Sequence, residues 1–285
     1  MTVLQCHSKG DKRFSALYAK VTIDKHTDTI ENFYQNSKRK IDGSKCEKGE
    51  KVSYMEFRGV KLPSYFLSDF YDLLWMQYFI ENKDLYRYAC SFDDYKDIFK
   101  GRSINNQEDT IRRLCKLGIK HVKGNCSDFM KIINTREPVI NGDALNARED
   151  ILAHQTNCKG VMGAGIAKQI KEVYPEVFSD YRKYCDSFEK DIELLGTMRI
   201  SECKNGKKIA SLFGQYAYNK YVKQTIEDEL KKSLELLHSY AKENELSVAF
   251  PYMIGCGLAG GNWDKIYPMI EEIFDDYPFV LYKKD

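Results

Sequence analysis

Along residues 137 to 285 the apolar positions switch repeatedly between short unbroken runs and 3.6-residue spacing. The first pattern suits a buried strand and the second an amphipathic helix. EPVINGDAL and DILAHQTN predict strands, and GAGIAKQIKEVY predicts a helix that stops where Pro175 intervenes. PEVFSDYRKYC resumes helix with proline at its first position. LLGTMRISEC and KKIASLFGQ predict strands joined by the turn KNGK. In TIEDELKKSLELLHSYAKENE, Leu230, Leu234 and Leu237 share one stripe, with Thr225 as the expected N-cap and Asp228 three residues on. LSVAFPYMI, NWDKIYPMIEEIF and FVLYKK close the series as strand, helix and strand. Such alternation predicts an α/β fold with a largely parallel sheet between helices, whose ligands bind beyond the carboxyl ends of the strands.

The first half is less regular. FSALYAKVTI and KVSYMEFRGV predict strands, and TIENFYQNSKR a short helix or turn. YFLSDFYDLLWMQYFIEN, FDDYKDIFK and NQEDTIRRLCKLG predict helices, with KHVKGNCSDFMKIINTR as a connection. A chain of 285 residues is long enough for two cores. The expected division is a small α+β domain over residues 1–135 and an α/β domain over 136–285.

Charge differs between these halves. Residues 1–135 hold 24 Lys+Arg against 18 Asp+Glu, net +6, whereas residues 136–285 hold 20 against 24, net −4. The basic half is either ordinary solvated surface or a docking surface for nucleic acid or a modified protein. Nine scattered cysteines, without a C-x-x-C pair or zinc spacing, imply free thiols and no metal. With no long apolar run and no secretory pattern in MTVLQCHSKGDKRF, the expectation is a cytoplasmic protein with no membrane partner and no cofactor.

Two glycine-rich segments follow expected strands, HQTNCKGVMGAGIAKQI at 154–170 and IGCGLAGGNW at 254–263. A strand, a glycine turn and a helix start present free backbone N–H groups to an anion such as phosphate. The spacing G-x-x-G-x-G in GVMGAG is not the dinucleotide fingerprint, and G-x-x-x-x-G-K-[ST] is absent.

Taken in order, GDAL at 142–145, ILAHQTNCKGVMGAGIA at 151–167, SLFGQY at 211–216, TIEDELKKSLELL at 225–237 and FPYMIGCGLAGGNWDKIYPMIEEIF at 250–274 resemble the macro domain, an ADP-ribose-binding fold. The branch most similar contains terminal ADP-ribose glycohydrolases, macro antitoxins acting on ADP-ribosylated DNA, and ADP-ribose 1″-phosphate phosphatases. The resemblance implies that the partner is ADP-ribose or an ADP-ribosylated substrate. It places Asp143 at the adenine, Ala144 among the ligand-binding residues, and Gly163, Ala164, Gly165 and Ile166 in one phosphate loop. Gly255, Cys256, Gly257, Leu258, Ala259 and Gly260 fall in the other, and Phe213, Gln215 and Tyr216 along the cleft. Simpler readings stand beside these: Asp143 as a turn cap, Met162 and Ile166 as packing, Cys256 as a small buried filler and Trp263 as a core anchor.

For catalysis the resemblance points to His154 as general base and Asn157 as the residue that arranges water near the distal ribose. The alternative for His154 is a buried, hydrogen-bonded strand residue. Where the similar glycohydrolases carry a lysine and an aspartate, this sequence has Gln215 and Ala259, which cannot replace them chemically. Lys220 and Lys223 lie nearby. The leading expectation is hydrolysis of a phosphate or linkage at the distal ribose; the alternative is a non-catalytic module that captures ADP-ribose derivatives.

Overall fold

In the second half, strands form where apolar runs end in turn residues, and they order themselves so that the most apolar strands lie inside. The computed structural model describes residues 2–98, 106–219 and 221–284. The chain separates into two units, Met1–Glu137 and Pro138–Asp285.

Unit 1 comprises β1 (Val3–Gln5), β2 (Lys20–Ile23), β3 (His26–Thr29), α1 (Ile30–Asn36), β4 (Lys38–Arg39), β5 (Tyr54–Phe57), β6 (Val60–Pro63), α2 (Leu67–Glu81), α3 (Lys83–Cys90), β7 (Asp94–Lys96), α4 (Gln107–Leu117), α5 (Ile119–Asn125) and α6 (Ser127–Thr135). Its core is aromatic: Phe70, Trp75 and Phe79 of α2 are buried, with Phe14 packed on Phe79 and Phe129 on Phe70. Two hairpins turn on paired residues with positive φ, Asp24–Lys25 and Arg58–Gly59. That geometry matches the twist of the strands they join.

Two expectations for this half are corrected. Within FDDYKDIFK, whose last two residues lie outside the described part, Asp94–Lys96 is a strand parallel to β1. The deciding pattern is period two, with Tyr95 fully buried and its hydroxyl donating to Ala89 O at 3.0 Å. The stretch expected as a connection is two helices, α5 and α6, because Val122, Phe129, Ile132 and Ile133 lie at helical spacing and are buried.

Unit 2 comprises β8 (Val139–Asn141), β9 (Ile151–Asn157), α7 (Gly165–Val173), α8 (Pro175–Asp186), β10 (Met198–Glu202), β11 (Lys208–Gln215), α9 (Glu227–Glu243), β12 (Val248–Pro251), α10 (Trp263–Ile273) and β13 (Phe279–Lys283). The sheet runs β10-β11-β9-β12-β13-β8, antiparallel between β10 and β11 and parallel elsewhere. This is the α/β architecture expected from the sequence. Neighbours in β11 show that helices cover both faces. Phe213 packs on Tyr181 and Tyr184 of α8, while a side chain at Gly214 would meet Leu230 of α9. Because β9 and β12 are adjacent and parallel, the loops leaving their carboxyl ends emerge side by side. Among the described residues no helix is long and apolar enough to cross a membrane.

One ion pair in unit 1 tests this packing. Asp72 is nearly buried and receives Arg113 through Nη1 at 2.8 Å and Nη2 at 2.7 Å, with the Thr110 hydroxyl at 2.9 Å. Arg113→Met strands that carboxylate and should lower stability by about 3 kcal/mol, read from the urea midpoint; Arg113→Met with Asp72→Leu should recover most of the loss.

Candidate functional site

The first wall of the site begins where β9 ends. Asn157 folds the turn that follows. Its Oδ1 accepts from Lys159 N at 3.0 Å, Val161 N at 3.3 Å and Tyr181 Oη at 3.2 Å, and its Nδ2 donates to Val161 O at 2.6 Å. Gly160 takes a φ of +67° here, and Met162 drops into the core beside Tyr181 and Phe213. The chain then enters α7 with Ala164 at the cap position and no side chain bonded to the first turn. The N–H groups of that turn have no partner within the helix and lie at its positive end.

The second wall is the loop after β12. Positive φ at Met253, Gly255 and Gly260 bends it back on itself. Gly261 N donates to Gly255 O at 2.9 Å, and Ala259 O accepts from Gln224 N at 2.8 Å and Thr225 N at 3.0 Å. Between the walls lies a cleft of about 640 Å³, within the range that takes small-molecule ligands.

Of the residues expected in the site, Asn157, Gly163, Ala164, Gly165, Ile166, Gln215, Gly255, Gly257, Leu258 and Ala259 line this cleft. The others stand elsewhere. Asp143 caps a short 3-10 turn by accepting from Leu145 N at 3.0 Å, and its other oxygen meets Lys284 Nζ at 2.6 Å. The ammonium, then the Leu145 N–H, hold this carboxyl below the usual range. Ala144 is buried beside it. Phe213 is fully buried on the α8 face. Tyr216 donates its hydroxyl to Asp191 at 2.8 Å, with the Lys159 ammonium 3.8 Å above its ring. The Cys256 thiol is turned to Ile254 O at 3.5 Å, and burial raises it to about 11. Gly260 backs onto Lys223, which is ion-paired with Glu227 at 2.5 Å. Lys220 lies outside the described residues.

His154 is placed away from the cleft. Alternation along β9 sends Gln155 to the α9 side and His154 to the α8 side, where it is fully buried, 3.3 Å from Ser211 Oγ. Desolvation lowers its pKa to about 4, so the ring is neutral near pH 7. It does not line the cleft.

Sequence reading overlooked Gln155, Tyr218, Asn219, Gln224, Tyr252, Met253 and Ile254, all of which line the cleft. The available signal was a glutamine interrupting an apolar strand just before a glycine loop. Trp263 is half-buried and packs between Tyr252 at 5.2 Å and Tyr267 at 5.4 Å, behind the cleft wall. Among the described residues, no Asp, Glu, Lys, Arg, His or Cys side chain lines the cleft. Its chemistry is that of backbone N–H groups, neutral amides and tyrosine hydroxyls. An anion is met there by dipoles.

A family model described as Macro domain matches residues 153–270. A DNA ADP-ribosyl glycohydrolase of Mycobacterium tuberculosis is 30% identical over 139 residues, 49% of this chain and 39% of the relative. An ADP-ribose 1″-phosphate phosphatase of Candida albicans is 27% identical over 46% of this chain and 86% of its own length. The chain thus spans about two fifths of the mycobacterial glycohydrolase. The solved macrodomain of Mycobacterium tuberculosis DarG is 28% identical, covering 51% of this chain and 97% of its own, with a TM-score of 0.44.

The buried imidazole gives a pH test. Between about pH 6.5 and 4 the unfolded chain binds a proton at this position that the folded chain does not, so stability falls as pH falls through that window. His154→Gln should flatten this slope in melting temperature against pH; an unchanged slope would place its origin elsewhere.

Proposed function

We propose, since residues 153–270 of this chain belong to the macro domain family, that the cleft takes ADP-ribose or an ADP-ribosyl group and hydrolyses a bond at the distal ribose. The observation that carries this reading is that Gly163–Gly165 and Gly255–Ala259 wall one cleft, beside an uncapped helix start. A pyrophosphate suits such N–H donors, and the relatives described above are a DNA ADP-ribosyl glycohydrolase and an ADP-ribose 1″-phosphate phosphatase. Asp143, two residues past β8 and outside the described cleft lining, is assigned to adenine in this reading. In this hydrolysis the bond at the distal ribose breaks as water adds its hydroxyl to one side and gives its proton to the departing group, with Asn157 assigned to arranging that water and backbone dipoles stabilising the charge that develops. His154 is fully buried outside the described cleft lining, and this reading routes no step through it.

A second reading, binding without turnover, is favoured by the neutral character of the described cleft wall. The proposal for unit 1 is a docking role toward nucleic acid or a modified protein. It is supported by exposed Tyr18 and Tyr88, with Lys12 Nζ 5.0 Å from the first ring and the Arg13 guanidinium 4.9 Å from the second. The proposed compartment is the cytoplasm, consistent with nine free cysteines.

Calorimetry with ADP-ribose tests the grip, and release of phosphate from ADP-ribose 1″-phosphate or of ADP-ribose from modified DNA tests the chemistry. Gly255 has a φ of +74° and a Cβ there would lie 2.6 Å from Gln155 Oε1. Gly255→Ala should therefore weaken ADP-ribose binding by about tenfold or more. Absence of binding heat in the wild type would overturn the reading; binding without release of either product would select the second one. For unit 1, salt-dependent retention of a single-stranded oligonucleotide, weakened by Tyr18→Ala with Tyr88→Ala, is expected.

A further inference from the structure

Gln155 stands where three segments of the cleft converge. Its Nε2 donates to Gln215 Oε1 at 2.8 Å and to Thr225 Oγ1 at 2.9 Å. The Thr225 hydroxyl donates onward to Gly255 O at 2.7 Å, and Gln215 Nε2 donates to Ala217 O at 2.7 Å. One amide is therefore linked to the exit of β11, the lead into α9 and the loop after β12. Backbone contacts close the same circuit, through an antiparallel bridge between Gln215 and Thr225 and the bonds from residues 224 and 225 to Ala259 O.

Packing shows that the amide is enclosed by backbone. A Cβ on Gly255 would lie 2.6 Å from Gln155 Oε1, and one on Gly214 would lie 3.0 Å from the same oxygen. Two glycines thus let main chain approach the amide closely from different elements. Thr225 is buried, so without Gln155 its hydroxyl keeps its bond to Gly255 O but loses the donor it accepts from, with no ready access to water. Gln215 has both ends of its amide engaged within the protein.

We propose that Gln155 is a positioning residue: its amide clamps Gln215 and Thr225, at the two ends of the β11–α9 connection, and the 253–259 loop into the wall of the cleft. Gln215 and Thr225 serve this scaffold, and the ligand meets the wall that they shape. The functional part rests on the ADP-ribose reading above; the structural part does not. An apolar residue of similar size would fill the space of Gln155 but supply neither donor.

The test uses the full chain, with hydrogen–deuterium exchange and ADP-ribose titration on Gln155→Leu, Gln155→Glu, Thr225→Val, Gln215→Lys and the pair Gln155→Glu with Gln215→Lys. Gln155→Leu should speed exchange across residues 216–219, 221–225 and 252–261 by about tenfold while α10 keeps its protection. ADP-ribose binding should weaken by about the same factor, and adding Thr225→Val should cost little more. Gln155→Glu alone opposes its carboxylate to Gln215 Oε1 and should behave like the leucine variant. Adding Gln215→Lys restores a donor–acceptor pair and should return both protection and affinity, which simple loss of packing would not. Should Gln155→Leu not fold, the comparison of Gln155→Glu with and without Gln215→Lys and the milder Thr225→Val decide. Unchanged loop exchange in the variants, or a charge pair no better than Gln155→Glu, overturns the clamp. If the wild type binds no ADP-ribose, that ligand reading fails while exchange still judges the clamp. If wild type and Gln155→Leu bind equally well, the clamp fails and the ligand reading stands.

Discussion

The site depends on the first-turn N–H groups of α7, to which the cap residue offers no side-chain acceptor. At the start of α7 the cap position holds Ala164, where Ser, Thr, Asp or Asn would stabilise the helix by about 1 kcal/mol. A capping side chain would also fill the space beside the first-turn donors, so its absence keeps them available to an anion. Sheet order supplies the second half of the constraint. Parallel neighbours point their carboxyl ends to the same edge, so β9 and β12, paired at Val248↔Ile151 and Ala249↔Leu152, must release their loops side by side. The cleft follows from that pairing.

Strand alternation then decides which chemistry reaches the cleft. His154 and Gln155 are adjacent in β9, yet one is sealed in the α8 layer while the other joins Thr225 and Gln215 on the α9 side. The same rule sends Phe213 into an aromatic cluster and leaves Gly214 facing Leu230. In both strands a shift of one residue would exchange a protonatable or bulky group for a small or neutral one. The neutral wall is thus a consequence of register.

How far the sequence discloses all this varies with the kind of signal. The elements of unit 2 are legible because their apolar periods are long and bounded by Gly or Pro, and the two cradles because glycine marks unusual backbone conformation. Unit 1 resists reading for physical reasons. α2 is apolar nearly all round, its strands are two to four residues long, and its hairpins turn on Asp24–Lys25 and Arg58–Gly59 instead of Asn-Gly. Thr225 shows a third case. It resembles an N-cap, but α9 starts at Glu227 after Ile226, and the Thr225 hydroxyl is drawn to Gly255 O. A tertiary acceptor outcompeted the local one, and a linear pattern carries no trace of that contest.

Polar side chains in the cleft wall turn largely inward. Asn157 folds the first loop, Gln215 ties the exit of β11, and Thr225 holds the second loop. With those groups engaged, the described lining sets glycine and alanine beside the apolar Val161, Ile166, Pro251, Met253, Ile254 and Leu258, with Tyr218 and Tyr252. Dipoles fixed in this way act over short distances and in set directions, so a wall of this kind selects by shape and oxygen placement more than by net charge. Such selection requires the wall to keep its shape when empty. Internal hydrogen bonds among uncharged amides and hydroxyls provide that shape without burying an ion, whose desolvation an exposed cleft could offset only in part.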